Sequence, residues 1–509
     1  MINKKFTTSN LQLKIFSVVF ILTVGYFISR ITNLTTIPIF CDEAIYIRWA
    51  QVMRAEPSLR FLPLSDGKQP LFMWLVIPFL KVIEDPLVAG RVVSVLAGFG
   101  TMIGVGILSY FLFNKKKISF LAMILYLISP FTFFFDRMAL TDGLLSFLGI
   151  WFFVFSVWLI NDARLDLAMI GGIILGLGLI TKSPALFFAV LLPTTLIIFN
   201  FKRKNLSLHL IKVVSFWLVI WVFAFAIYNI LRLGPEFHMI AIRNKDYVFS
   251  FSEVLKHPIY PFWRNFKNII NWFWILLTPP IFVLGVLGML EILRKEFKKG
   301  VFLLFCFFLP LLAQSAVAKV FTARYILFSV PLFLIFVAFF IEKIFSLFKN
   351  KAIGFDILVL VLLLPCYQIF LLIINPTKAW LPVQERKGYL EEWTAGYGIK
   401  EVALYLKKVA QNQKVLIGTE GFFGTLPDGL QIYLEKIPNI TIIGVGYPIK
   451  GIPDKLTNAL RDNKVFLLVN DSRFEVKETQ NLKLISKYPK AENLKTGFRE
   501  NLLFFEILR

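Results

Sequence analysis

Asp42 and Glu43 stand side by side in Ile39-Phe40-Cys41-Asp42-Glu43-Ala44-Ile45-Tyr46, just past the first long apolar stretch. A carboxylate beside a membrane loses part of its hydration. Its pKa then rises toward the range useful for taking a proton. The chain carries 55 Lys+Arg against 32 Asp+Glu, a net charge of +23. It can supply cations to an acidic substrate readily and bases only sparingly, so Asp42 is the first candidate base. The ordinary alternative is a solvated acidic pair in a loop. Other ionisable residues recur at the ends of apolar stretches: Lys68, Arg91, Arg137, Asp142, Lys182, and Arg324 with Tyr325. Such groups are costly near a bilayer and are site candidates for that reason. Each also has a plain structural account. Asp142 can cap a helix, Ser183-Pro184 can open one, Lys182 can snorkel, and Arg91 and Arg324 can anchor at the interface. Taken jointly, they describe cations around a phosphate at headgroup level, with a carboxylate for a hydroxyl proton. That is the chemistry of group transfer from a lipid-linked phosphate.

A membrane must position these groups. The 509 residues are 57% hydrophobic and 17% charged, with mean hydropathy +0.71. Apolar runs fall at 13–31, 88–113, 118–135, 140–160, 167–181, 184–200, 210–232, 271–293, 301–318, 325–345 and 355–374. These predict about eleven transmembrane helices. Leu71–Ile83 is too short to cross and reads as an interfacial or partly inserted helix. Lys115-Lys116-Lys117, Lys202-Arg203-Lys204, Arg294-Lys295 with Lys298-Lys299, and Lys343 with Lys349 and Lys351 share one side with Lys4, Lys5 and Lys14. The positive-inside rule makes that side cytoplasmic. The loop 32–87, all the candidate residues and the C-terminus then face outward across the plasma membrane. Lys and Arg sit mostly in short loops, which argues for membrane and against nucleic acid. Three cysteines form no disulfide framework. The first apolar run lacks a small-residue cleavage site and reads as an uncleaved helix. Gly100-x-x-x-Gly104 and Gly172-x-x-x-Gly176 predict close helix packing.

After Asn375 the composition becomes mixed. Helices are expected at Glu401–Gln411, Pro427–Leu434 and Pro453–Leu460, and buried strands at Lys414–Gly418, Ile440–Gly444 and Val465–Val469. Strand-helix alternation predicts a small α/β domain with a partly parallel sheet. The expected organisation is a membrane module over 1–375, whose outer loop 32–87 carries the acidic motif, and an extracytoplasmic α/β domain over 376–509.

The ordered set of short motifs resembles the GT-C type membrane glycosyltransferases, in particular the protein O-mannosyltransferase-like and aminoarabinose-transferase-like branch. The motifs are Asp42-Glu43-Ala44-x-Tyr46, Lys68-Gln69-Pro70-Leu71-Phe72-Met73-Trp74, Gly90-Arg91-Val92-Val93-Ser94, Arg137-Met138-Ala139-Leu140-Thr141-Asp142, Thr181-Lys182-Ser183-Pro184 and Arg324-Tyr325-Ile326-Leu327. The tail stretches Glu392–Gly398 and Gly418–Gly421 are similar to soluble tails of some members. Gln69 stands where the family usually has Pro, and Ser183 where it usually has Gly.

The resemblance implies a polyprenyl-phosphate sugar donor and a glycan, lipid or protein acceptor. It implies Asp42 as base, Glu43 in its support or positioning the acceptor or a metal, and Asp142 as a second acidic position. Lys68, Arg324 and Tyr325 are implied near the donor phosphate, with Arg91, Arg137 and Lys182 as further cations of that site. The implied reaction is a single inverting displacement. A divalent metal is left open, because some relatives use one, while His209, His238 and His257 are scattered here. The rival function is a transporter or flippase of a lipid-linked or anionic solute, for which no inverted repeat is visible. A third is an outward-facing binding or scaffold protein.

The charge pattern makes a direct prediction. A cysteine introduced at Asn412 labels with an impermeant thiol reagent in intact cells, and one at Lys116 does not. The reverse pattern turns the protein over.

Overall fold

The structure is a computed structural model that describes residues 2–257, 259–347, 351–476 and 480–508. Lys349 and the side chains of Lys4, Lys5, Lys14 and Lys351 lie outside the described residues. The chain divides into two compact units. The first comprises Met1–Leu34, Pro63–Phe72 and Val93–Ile374; the second comprises Thr35–Leu62, Met73–Val92 and Asn375–Arg509.

The first unit is helical. Among the described residues, six helices are long and apolar enough to cross a membrane, and up to eight spans result if each of two bent pairs is one span. Ile15–Ile31, Leu71–Val82, Leu165–Leu179 and Ser183–Ile198 are shorter apolar helices. The multi-pass class therefore stands, while the expected count of about eleven is not reached by this measure. The helices Thr141–Asn161 and Ala323–Leu347 are mostly buried within the protein, whereas Leu206–Leu233 and Gly354–Ile374 are mostly exposed. Their outward Leu, Ile, Phe and Trp side chains suit lipid as the solvent.

Both bends have a proline cause. Lys116–Ile128 and Pro130–Asp136 meet at 61° across Ser129, and Ile259–Leu276 and Pro279–Lys295 meet at 118°. Proline removes an N–H donor and pushes the residue before it out of helical geometry. Thr278, before Pro279-Pro280, has φ +72°. The single run expected over 271–293 is therefore broken at Leu277–Thr278. Hydropathy sums across such a corner because it does not register backbone geometry.

The break at Ser129 is braced by a buried polar knot. Arg30 donates to the carbonyls of Leu127 (2.6 Å) and Tyr126 (3.3 Å), and its Nε lies 3.5 Å from Asp136. The Tyr26 and Tyr126 hydroxyls donate to Asp136 at 3.1 and 3.0 Å. Carbonyls freed by the broken helix thus find donors, as burial requires.

The second unit holds a two-stranded ribbon and a five-stranded sheet. The ribbon pairs β1 (Ile39–Phe40) antiparallel with β2 (Ala395–Gly396), Ile39 opposite Gly396. The sheet contains β3 (Val415–Glu420), β4 (Ile440–Gly446), β5 (Lys464–Asn470), β6 (Leu482–Glu492) and β7 (Arg499–Ile507), in the order β4-β3-β5-β7-β6. Strand β3 runs parallel to β4 and β5, and β7 is antiparallel to β5 and β6. The helices Asp428–Leu434 and Asp454–Ala459 make the crossovers. Strand β5 is buried on both faces. Val465, Leu467 and Val469 pack with Leu456 and Leu503, and Phe466 stacks on Phe504 beneath Tyr405. That two-sided burial explains its unbroken apolar run. The partly parallel sheet is as expected. The β6–β7 hairpin was not: β6 is an edge strand rich in Lys, with Pro489, which is tolerated there and weakens the sequence signal.

Gly172 and Gly176 do sit in a close helix crossing. An added Cβ at Gly172 would come within 2.7 Å of the Phe223 Cβ and 2.9 Å of the Ile220 carbonyl oxygen, whereas one at Gly171 would meet nothing nearer than 3.6 Å. Gly172→Leu should therefore cost about 1–3 kcal/mol and lower the unfolding midpoint in detergent by several degrees. Gly171→Ala should leave it unchanged. Equal midpoints would mean that this crossing is not tight.

Candidate active site

Asp42 lies half-buried in the first turn of the helix Cys41–Ala55. Its neighbour Glu43 is wholly buried. Glu43 Oε2 accepts the Phe40 N–H at 3.0 Å, which closes the helix start. Arg91 grips the same carboxylate with both arms, Nε to Oε1 at 2.8 Å and Nη2 to Oε2 at 2.7 Å. Arg91 also donates to the carbonyls of Ile37 (2.9 Å) and Pro38 (3.1 Å). It thus binds the whole approach to Asp42. The Cys41 N–H donates to Thr394 O at 3.2 Å. Burial, and then the charge of Asp42, push the Cys41 thiol up to about 12, so Cys41 is no nucleophile here.

The other candidates belong to the first unit. Lys182 Nζ lies 2.5 Å from Asp142 Oδ1 and 4.1 Å from the centre of the Tyr325 ring. Lys68 Nζ donates to the Tyr247 hydroxyl at 2.8 Å. Arg324 sits 5.4 Å from the Tyr325 ring centre. Burial pulls the Lys182 ammonium down from 10.5 to about 8; Asp142 opposes this, and the nearby charges of Arg324 and Lys68 add to it. Lys68, Asp142, Lys182, Arg324 and Tyr325 are therefore one group. Arg137 stands apart: its Nη2 donates to Asn33 O at 2.5 Å, and its guanidinium lies 4.8 Å from the Phe133 ring centre.

Several pairings escaped the sequence reading. Tyr247 receives Lys68. Arg243 binds Asp66 at 2.7 Å and lies over Gly67, whose φ of +68° and close approach to Arg243 and Met239 admit no side chain. Gln69 Nε2 donates to Ser183 Oγ at 2.9 Å, and the Leu71 N–H donates to Ile180 O at 3.2 Å. The residues standing for the usual Pro and Gly thus bond to each other and tie the Lys68 turn to the Lys182 turn. Nothing local announces such pairs.

Among the described residues, no three His, Cys, Asp or Glu side chains gather as metal ligands. Both Glu43 oxygens serve Arg91, and Asp142 shares an oxygen with Lys182, so these carboxylates fit a divalent ion poorly as they stand.

Comparison with known proteins bears on the fold. Residues 67–228 match the family model described as dolichyl-phosphate-mannose-protein mannosyltransferase. The structure of ArnT from Cupriavidus metallidurans in the apo state is similar over 97% of this chain and 98% of that one, with TM-score 0.56 and 13% identity. The fold is that of the GT-C glycosyltransferases. ArnT bound to undecaprenyl phosphate is similar over 96% and 97% of the two chains (TM-score 0.52, 13% identity). The oligosaccharyltransferase AglB from Archaeoglobus fulgidus, in complex with an inhibitory peptide and a dolichol-phosphate, is similar over 89% of this chain and 69% of that one (TM-score 0.51, 12% identity). No curated protein sequence matches the chain. The resemblance read from the short motifs is borne out. Lys68, Arg91, Arg137, Asp142 and Lys182 fall inside the matched stretch; Asp42, Glu43, Arg324 and Tyr325 lie outside it.

The motif resemblance expects Lys182 at a donor phosphate, and a lysine that loses its proton near pH 8 would cease to anchor one above that pH. The kcat/KM for a phosphate-bearing donor should fall as pH rises through about 8, since that ratio reports the free enzyme. Lys182→Arg keeps its charge and should carry the fall to higher pH. An unchanged alkaline limb in that variant would take Lys182 out of donor binding.

Proposed function

We propose that the chain moves a sugar from a polyprenyl-phosphate donor to a hydroxyl or amine of a glycan, lipid or protein acceptor, on the outer face of the cell membrane. The observation that carries this reading is the gathering of Lys68, Lys182 and Arg324 around Asp142 and Tyr325 in a GT-C fold. Two similar folds were determined with a polyprenyl phosphate bound, and three cations suit such a phosphate. A transporter is disfavoured by the same likeness.

In the proposed reaction the acceptor oxygen or nitrogen attacks the anomeric carbon of the sugar. The bond from that carbon to the phosphate oxygen breaks, and its electron pair leaves with the polyprenyl phosphate. Asp42 takes the acceptor proton, a role that rests on the motif resemblance. Lys68, Lys182 and Arg324 balance the charge that grows on the departing phosphate. The phosphate leaves without a proton, so no general acid is needed. One displacement inverts the anomeric carbon, through an oxocarbenium-like state. Glu43 and Arg91 position Asp42; Asp142 positions Lys182; Arg137 holds the turn at Asn33. No step runs through a metal.

The test is release of polyprenyl phosphate from a labelled polyprenyl-phosphate sugar by the purified protein. Asp42→Asn should slow transfer by roughly two to four orders of magnitude, the usual loss with a general base, without lowering the unfolding midpoint. Transfer within a few-fold of wild type would assign the base elsewhere, with Asp142 next in line.

A further inference from the structure

The carboxyl ends of β3 and β5 gather side chains that the donor chemistry does not use. Strand β3 leads through the helix Asp428–Leu434 to β4 on one side. Strand β4 returns through Asp454–Ala459 to β5 on the other. The strand order therefore reverses between β3 and β5, and in open α/β sheets ligands bind outside the carboxyl ends at that point. Here those ends are Glu420 and Asn470.

Glu420 is buried. It accepts from the Asn470 backbone N–H and from Asn470 Nδ2, both at 2.7 Å. The Asn470 amide oxygen is buried and has no hydrogen-bond partner among the described residues. A buried polar atom left unpaired is costly and calls for a donor. Arg473 lies 3.5 Å from Glu420. Its guanidinium lies over the rings of Trp393, at 3.6 Å, and Tyr447, at 4.3 Å. Stacking fixes the plane of the fork and leaves N–H donors along its edge. Tyr447 is 63% exposed, and Phe422, which lies over Gly444, is 75% exposed. The charges here are mixed: Glu420, Asp471 and Glu500 against Arg473 and Lys490. That balance is wrong for a phosphate. Open aromatic faces beside hydroxyl-binding groups suit a sugar ring, whose C–H face is apolar and whose edge is polar.

The place is also adjacent to the acidic motif. Thr394 follows Trp393, and its carbonyl accepts from the Cys41 N–H and from Thr425 Oγ1 at 3.3 Å. An added Cβ at Gly424 would lie 3.2 Å from Cys41 Sγ and 4.0 Å from the Trp393 ring. The loop after β3 thus packs on the residue before Asp42.

We propose that this end of the sheet is the acceptor site, where one ring of a neutral or amino-sugar glycan stacks on Tyr447 and bonds to Arg473 beside Asp42. The proposal rests on the reading of Asp42 as the base.

Its test uses the full-length protein in detergent and saturation-transfer NMR. The probes are a set of hexose, N-acetylhexosamine and glucosamine disaccharides, with inorganic phosphate and phosphatidylglycerol vesicles as the other arms. A disaccharide signal that is lost in Tyr447→Ala and weakened in Arg473→Lys supports the site. Tyr447 is exposed, so its variant should fold. In turnover assays Tyr447→Ala should raise the acceptor KM on the order of tenfold, about one stacking contact, with no change in the donor KM. Absence of any saccharide signal, a signal indifferent to both variants, or binding of phosphate or vesicles alone would overturn the proposal. Failure of Asp42→Asn to slow transfer would instead strike the base assignment, and the NMR arm would still decide the sugar site.

Discussion

The bidentate ion pair between Arg91 and Glu43 is the constraint on which the rest of the second unit leans. Both partners are wholly buried. Removing either would leave an uncompensated charge inside the protein, a loss of about 3–5 kcal/mol by general experience. The pair does more than neutralise. Arg91 gathers the carbonyls of Ile37 and Pro38 while Glu43 gathers the Phe40 N–H. The extended approach and the first turn of the Asp42 helix are therefore held from one guanidinium. Replacing the pair with well-packed apolar residues could match its stability, yet it would free that approach.

The first unit solves a related problem with different means. A broken helix in apolar surroundings exposes carbonyls that water cannot reach. Arg30 supplies donors to two of them, and Asp136 keeps Arg30 and two tyrosines in register. Proline makes the corner, and the polar knot makes it tolerable.

How much of this was legible follows from range. Apolar runs and the β3, β4 and β5 strands were readable because each signal is local. The corner at Thr278 was missed since hydropathy carries no direction, and the β6–β7 hairpin because Pro489 and the lysines of an edge strand blur its alternation. Asp142, Lys182, Lys68 and Arg324 stood out as charges beside apolar runs. Their partners did not. Tyr247 is an unremarkable tyrosine in a polar loop, and the bond from Gln69 to Ser183 joins residues far apart in the chain. Arg91 was noticed as a cation and expected near phosphate. Only the fold reveals how fully Glu43 and the loop carbonyls occupy it.

The small ribbon of β1 and β2 has a consequence in time. Ile39 lies near the start of the chain, and its partner Gly396 lies far along it. A ribosome delivers the first strand long before the second, and closing so long a loop slows the pairing. The helix bearing Asp42 is made early, yet the helix it packs on, Asp428–Leu434, and the frame around it stay incomplete until the tail arrives. A nascent chain would thus hold Asp42 before the strand and helix that frame it have been made. Completion of the second unit is therefore the last step of synthesis, and a product cut short before Ala395 lacks the partner of β1.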